Sequence, residues 1–199
     1  MAIGGGALRA VRAGSGFLES HDPLQALEVL AALGAMAFLG LQVILFMVRR
    51  LPERTLRGMG PYLVAMAGAL APLFVTLTPR AAPDPAWLFA SALLTVIGTT
   101  VSVVVLAALG RSFSVSPQAR GLVTTGPYAL VRHPLYLAEL VSSLGLMLQY
   151  VQPWAGLVVA AAFLLQLVRM RFEEIVLAAA YPAYADYARR TARLIPGVW

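Results

Sequence analysis

Five stretches of this 199-residue chain run almost free of charge for a length close to the thickness of a lipid bilayer, and this constrains the fold more than any other feature. A helix crosses about 30 Å of hydrocarbon with roughly 20 apolar residues. The first stretch, Leu24 to Val48, ends on Arg49-Arg50, and the second, Tyr62 to Leu77, lies between Pro61 and Pro79. The third, Trp87 to Leu109, stops at Gly110-Arg111; the fourth, Leu135 to Val151, turns over Gln152-Pro153 into the fifth, Trp154 to Val168. The second, fourth and fifth are short, which implies tilt or local thinning of the bilayer. Hydrophobic residues make up 60% of the chain and charged ones 12%, against about half and a quarter in soluble domains. There is no sustained strand-like alternation and no internal repeat. The expectation is an all-α integral membrane protein with five transmembrane helices, the last two a helical hairpin over 135–168, followed by a cytoplasmic C-terminal helix. Residues 1–23, with Gly4-Gly5-Gly6 and Gly14-Ser15-Gly16, read as a flexible N-terminal arm without the continuous apolar core of a signal peptide. Residues 24–109 read as a three-helix membrane portion, and 110–199 as a portion holding the two polar stretches and the hairpin.

The charges orient the chain. All 15 basic residues are arginine, the formal net charge is +6, and they fall in short clusters between apolar runs. No basic stripe is present, so a nucleic-acid partner is not expected. Counting five spans, the first and third connections and the C-terminal tail hold twelve arginines, from Arg49 to Arg193; the other side holds Arg9, Arg12 and Arg80. Positive charge collects on the cytoplasmic side, which places the N-terminus outside and the C-terminus in the cytoplasm, whereas six spans would scatter the arginines. The absence of lysine and the Ala/Arg/Gly-rich usage fit a GC-rich bacterial genome, hence an inner membrane. With no cysteine, disulfides, thiolate metal sites and thiol catalysis are excluded.

The polar stretches Gly110–Pro134 and Arg169–Trp199 fall on the same face of the membrane. His133 lies nineteen residues before Gln152 and Arg171 nineteen after it. At about 1.5 Å per residue both stand roughly 28 Å from the turn, so the segment Arg132–Tyr136 must face the segment Arg169–Glu174. His133, Tyr136, Leu140 and Ser143 share one helix face, with Glu139 at its border; Gln166, Arg169 and Glu173 share another, with Glu174 beside it. Ionisable groups at a membrane boundary are rare unless paired or functional, so facing stripes of His, Tyr, Arg and Glu point to a pocket. Plainer readings stand beside this one. Arg169 and Arg171 also suit headgroup anchors, Glu173 suits an i,i+4 partner of Arg169, Glu28 suits an interfacial residue, and Tyr181, Tyr184 and Tyr187 suit an aromatic belt. His21 and His133 fall on opposite sides of the membrane, so no metal site is expected.

The run Gly121-Leu122-Val123-Thr124-Thr125-Gly126-Pro127-Tyr128-Ala129-Leu130-Val131-Arg132-His133-Pro134-Leu135-Tyr136 resembles the G-x-x-x-x-G-P-Y-x-x-x-R-H-P-x-Y segment of the isoprenylcysteine carboxyl methyltransferase family. Phospholipid N-methyltransferases share it more loosely. Glu173-Glu174, Tyr184, Tyr187 and Arg193-Leu194-Ile195-Pro196 are similar to that family's second block. The resemblance covers about the C-terminal 90 residues and makes 110–199 a cofactor-binding catalytic portion. It implies a membrane methyltransferase using S-adenosylmethionine, with Tyr128, His133, Pro134, Tyr136, Glu173 and Glu174 at the cofactor and Arg169 or Arg171 at the substrate's acceptor group. Two departures stand out. Ala138 replaces a usual Gly, expected to narrow the pocket by a methyl, and Tyr181-Pro182 replaces a usual Phe-Gly.

Methyl transfer from a sulfonium is a displacement at carbon in which the protein must bind, orient and exclude water. A soluble cofactor entering from the cytoplasm and a lipophilic acceptor entering from the bilayer would meet at this boundary, with membrane lipids as neighbours. Carboxyl O-methylation of an isoprenylcysteine-like acceptor leads; N-methylation of a phospholipid headgroup and S-methylation of a small thiol are alternatives. A non-enzymatic lipid- or ligand-binding scaffold is a further reading, and a transporter is disfavoured because no polar path crosses the bilayer centre. Oligomeric state is left open.

Overall fold

The structure is a computed structural model that describes residues 23–197. The expected N-terminal arm, with Arg9, Arg12 and His21, lies outside the described residues apart from Pro23. Within them the chain forms six α-helices: α1 Pro23–Val48, α2 Met59–Val75, α3 Pro85–Leu109, α4 Pro134–Met147, α5 Trp154–Ala180 and α6 Tyr184–Arg190. Three are long and apolar enough to cross a membrane, namely α1, α3 with the 3₁₀ turn that follows it, and α5; α2 and α4 are shorter apolar helices. The chain is a mostly helical membrane protein.

Local chemistry sets the boundaries. Asp84 caps α3, its carboxylate accepting from the backbone N–H groups of Ala86 and Trp87 at 3.1 Å each, with Pro85 at the first helical position, where a missing N–H costs nothing. Pro134 opens α4 in the same way. The fifth helix differs from expectation. It does not stop near Val168 but runs unbroken to Ala180, because Arg, Met and Glu are good helix formers and nothing interrupts the helix before Tyr181-Pro182. The residue preceding a proline is driven out of helical geometry, and Tyr181 is extended.

The hairpin is also looser than expected. Helix α4 packs chiefly against α3, α5 chiefly against α2, and α1 chiefly against α3, while α4 and α5 meet over a smaller area. Small residues draw α3 and α4 together. A methyl on Gly98 would sit 2.4 Å from the backbone nitrogen of Ser142, and one on Gly145 would sit 2.7 Å from the backbone nitrogen of Thr95. Ser91 donates across this seam to the carbonyl of Gly145 at 2.7 Å, and Gln149 donates to Ser91 at 2.8 Å. Thr95 and Thr99 turn their hydroxyls back onto their own helix, which satisfies these groups in an apolar setting.

At the arginine-rich end the loops are laced together. A two-residue antiparallel pair joins β1 Arg54–Thr55 to β2 Gln118–Ala119, too short to leave an alternation in the sequence. Several arginines cap helix C-termini: Arg111 donates to the carbonyl of Val48 at 2.8 Å, and Arg54 to that of Ala179 at 2.6 Å. Arg120 donates to the carbonyl of Arg50. These carbonyls lack intrahelical or ladder partners, so part of the positive charge at this end closes the loops. After α6 the tail returns to the start of α4. Arg132 N–H donates to the Ala192 carbonyl at 2.8 Å and His133 N–H to the Arg193 carbonyl at 3.1 Å.

Candidate active site

Going from the arginine-rich end toward the membrane interior, α4 and α5 are joined by three polar rungs. In the first, His133 Nε2 lies 3.1 Å from Glu174 Oε1. In the second, the Tyr136 hydroxyl donates to Glu173 Oε1. In the third, Gln166 Nε2 donates to Glu139 Oε2 at 2.9 Å. The spacing of three along α4 (133, 136, 139) and of seven along α5 (173, 166) keeps each partner on one face. The two segments expected to face each other therefore do so, although the helices carrying them lean mainly on other neighbours.

Arg169 lies between the second and third rungs. Its Nη1 donates to Gln166 Oε1 at 2.9 Å and its Nη2 to the carbonyl of Val115 at 3.2 Å. The guanidinium carbon stands 5.1 Å from the centre of the Tyr136 ring, within cation–π range. Nε is buried without a hydrogen-bond partner. Gly68 on α2 makes room for this side chain, since a methyl there would sit 2.6 Å from Arg169 Cδ.

Glu173 and Glu174 are adjacent in sequence and differ in what they face. Glu174 is taken up by cations: Arg193 donates to it twice, at 3.0 and 2.6 Å, and Arg132 Nε stands 3.5 Å away. Glu174 thus fastens the returning tail to α5. Glu173 instead lines a cavity of about 630 Å³, with His133, Tyr136, Tyr128, Arg132, Arg169, Tyr184 and Tyr187, a volume in the usual range for small-molecule sites. The cavity continues past Glu139, Ser142 and Ser143 into an apolar cleft walled by Phe38 and Leu39 of α1 and by Met66, Leu70 and Leu73 of α2. Helices α1 and α2 make no extensive contact with each other, so this cleft separates them.

The tyrosines are built into the wall rather than spread as a belt. Tyr187 donates to the Tyr128 carbonyl at 2.7 Å, and the Tyr184 and Tyr187 rings meet edge to face at 6.0 Å. Burial pushes the Tyr187 hydroxyl up to about 12. The same cause, with Glu173 adding to it, raises Tyr128 further, and burial likewise raises Tyr184. All three are neutral hydrogen-bonding groups at physiological pH.

Arg171, Pro134 and Ala138, like Glu174, stand off the cavity wall. Arg171 is exposed and stands outside the cavity, because two residues beyond Arg169 is more than half a turn around the helix. Pro134 is buried but does not line the cavity; it starts α4. Ala138 is buried and also off the wall, so its methyl does not narrow the space. Arg132, Arg193, Gln166 and Gly68 were not singled out as site residues. Arg132 and Arg193 stand in the two motif blocks and Gln166 shares a helix face with Arg169, whereas Gly68 left no signal. Among the described residues no group of three or more His, Asp or Glu is placed to hold a metal ion.

Residues 86–184 match the family described as phospholipid methyltransferase, a stretch that holds α3, all three rungs and the start of α6. The family matched is thus the one to which the sequence motif bears the looser likeness. Two curated bacterial relatives are similar to the chain. The cobalt-zinc-cadmium resistance protein CzcN of Cupriavidus metallidurans is 46% identical over 77 residues, covering 38% of this chain and 35% of the relative. The nickel-cobalt-cadmium resistance protein NccN of Alcaligenes xylosoxydans xylosoxydans is 34% identical over 126 residues, covering 62% of this chain and 59% of the relative. The chain thus spans about a third and about three fifths of the length of these curated relatives.

Proposed function

We propose that the chain is a membrane-embedded methyltransferase that uses S-adenosylmethionine to methylate a lipophilic acceptor. The observation carrying this reading is the shape of one cavity, whose polar wall of His133, Tyr136, Glu173 and Arg169 opens into an apolar cleft between α1 and α2. The phospholipid methyltransferase match over 86–184 supports the same reaction type.

The donor set on the wall fits the cofactor. Glu173, which keeps its second oxygen 3.9 Å from His133 Nδ1, suits an ammonium or ribose hydroxyls. Arg132, which lines the cavity while its Nε stands 3.5 Å from Glu174, suits a carboxylate through its terminal nitrogens. The aromatic faces of Tyr128, Tyr184 and Tyr187 suit an adenine ring. When bound, the cofactor supplies a methyl group already activated on a sulfonium. The protein's share is positional. Tyr136 and His133 hold Glu173 in one orientation, Glu174 pins the tail that closes the polar end, and the apolar cleft keeps water from the acceptor's side.

The leading expectation for the acceptor is an isoprenylcysteine-like carboxylate gripped by Arg169, with a phospholipid headgroup amine or a small thiol as alternatives. One observation favours the alternatives: Arg169 already spends both terminal nitrogens on Gln166 and Val115, so a bidentate grip on a carboxylate would have to displace them. We place the polar end in the cytoplasm of a bacterial inner membrane, on the arginine asymmetry, with all five apolar helices in the bilayer.

The test is transfer of a labelled methyl group from S-adenosylmethionine into an organic-extractable product by the purified protein in native lipid. Labelling that is lost in Glu173→Gln and Tyr136→Phe supports the assignment. Labelling that survives both variants contradicts the assignment of the site.

A further inference from the structure

Glu139 is a carboxylate that the fold places deep beside an apolar cleft without an obvious structural need. It lies six residues beyond His133 on α4, about 9 Å further along the axis, and it lines the cavity where the polar wall gives way to the cleft. Its Oε2 is held by Gln166 at 2.9 Å. Its Oε1 takes no hydrogen bond from any described residue. The hydroxyls of Ser142 and Ser143, the next groups down the wall, donate to the Glu139 backbone carbonyl at 3.0 and 2.7 Å, so neither covers the carboxylate. A carboxylate at membrane depth is costly unless paired or used. The cation nearest to hand, Arg169, is bonded to Gln166 and Val115 and is shared with Glu173.

Accepting the methyltransferase reading, on which this rests, we infer that Glu139 is the proton acceptor of the transfer, so that the acceptor enters carrying a proton on its attacking atom. Gln166 orients the carboxylate through Oε2 and leaves Oε1 for the acceptor. The lone pair of an amine nitrogen or thiol sulfur forms the new bond to the methyl carbon. The bond from that carbon to the sulfonium sulfur breaks with its electron pair staying on sulfur, and the acceptor's N–H or S–H proton passes to Glu139 Oε1. An acceptor carboxylate has no proton to give and would meet Glu139 as a like charge. Such a site selects against it.

Binding and turnover test this separately. The purified protein is saturated with S-adenosylhomocysteine and titrated with dodecylamine, dodecanethiol and dodecanoate, probes of one chain length and three head groups. The wild type should bind the amine or the thiol and disfavour dodecanoate. Glu139→Gln should bind dodecanoate about tenfold more tightly as the like charge is removed, with S-adenosylhomocysteine affinity unchanged. With S-adenosylmethionine, Glu139→Gln should lower kcat for the amine or thiol about 100-fold or more, and Glu139→Asp should recover part of it. A 2,2-difluorinated dodecylamine, whose fluorines make the nitrogen far less basic and so ease loss of its proton, should lose less than dodecylamine does. Methylation of dodecanoate by the wild type, transfer to neither proton-bearing probe, or equal loss of S-adenosylhomocysteine binding in Glu139→Gln would each overturn the assignment. Failure of the wild type to bind S-adenosylhomocysteine at all would instead strike at the methyltransferase reading.

Discussion

Replacing Glu174 by Gln separates a clamp from a ligand. The carboxylate accepts two hydrogen bonds from Arg193, at 3.0 and 2.6 Å, stands 3.1 Å from His133 Nε2, and does not line the cavity. An amide of the same shape keeps one acceptor oxygen, loses the charge and turns an NH₂ toward Arg193. A charge-assisted hydrogen bond contributes about 1.5–3 kcal/mol, and breaking a fully buried pair costs about 3–5 kcal/mol. The side chains of Glu174 and Arg193 retain 13% and 18% exposure, so about 2–3 kcal/mol is the fitting magnitude once solvent screening is allowed for. What is lost is docking of the tail, whose remaining ties are the backbone bonds from Arg132 and His133 to Ala192 and Arg193 and the buried Leu194. The population with the tail undocked should rise roughly 30- to 150-fold. Amide hydrogen exchange at Arg132 and His133 reads that population directly, with Glu28→Gln on the exposed side of α1 as the control. The expected result is faster exchange at both amides, with weakened but measurable cofactor binding. Unchanged exchange together with abolished binding would refute the reasoning and make Glu174 a direct ligand.

Three further outcomes follow from other parts of the molecule. Gly98→Ala should lower the melting temperature, since the added methyl would lie 2.4 Å from the Ser142 backbone and overpacking costs about 1–3 kcal/mol; Gly40→Ala, with nothing within 4 Å, should leave it level or raise it. Tyr187 has its hydroxyl raised to about 12 by burial, so its contribution to stability is complete below the ordinary tyrosine value near 10 and is lost as pH climbs from there to about 12; alkaline unfolding of Tyr187→Phe should show a shallower slope in that window. In this cysteine-free chain, a cysteine in place of exposed Arg57 should react with an impermeant thiol reagent only from the cytoplasmic side, and one in place of exposed Leu77 only from the opposite side; the reverse pattern would invert the proposed topology.

Hydropathy and helix geometry made much of this arrangement legible. The apolar stretches located three long and two shorter apolar helices, and equal distances from Gln152 placed Arg132–Tyr136 opposite Arg169–Glu174. The packing partners of those helices were not legible, because they are chosen by close approaches such as Gly98 on Ser142, which depend on crossing angles rather than on periodicity. The division of labour between Glu173 and Glu174 was hidden for a related reason. Neighbouring residues on a helix point about 100° apart, and which one meets Arg193 depends on a tail that returns from the far side of α6. Arg171 misled because a positive charge at the right depth says nothing about the helix face it occupies.

The proposed function stands on a cofactor site at the cavity wall formed by His133, Tyr136 and Glu173. Calorimetric titration of the purified, folded protein with S-adenosylhomocysteine tests it most directly, with His133→Ala and Glu173→Gln titrated alongside. Saturable one-to-one binding is expected in the wild type, and its loss in both variants. A folded wild-type protein that releases no heat of binding, or variants that bind as well as the wild type, would contradict it.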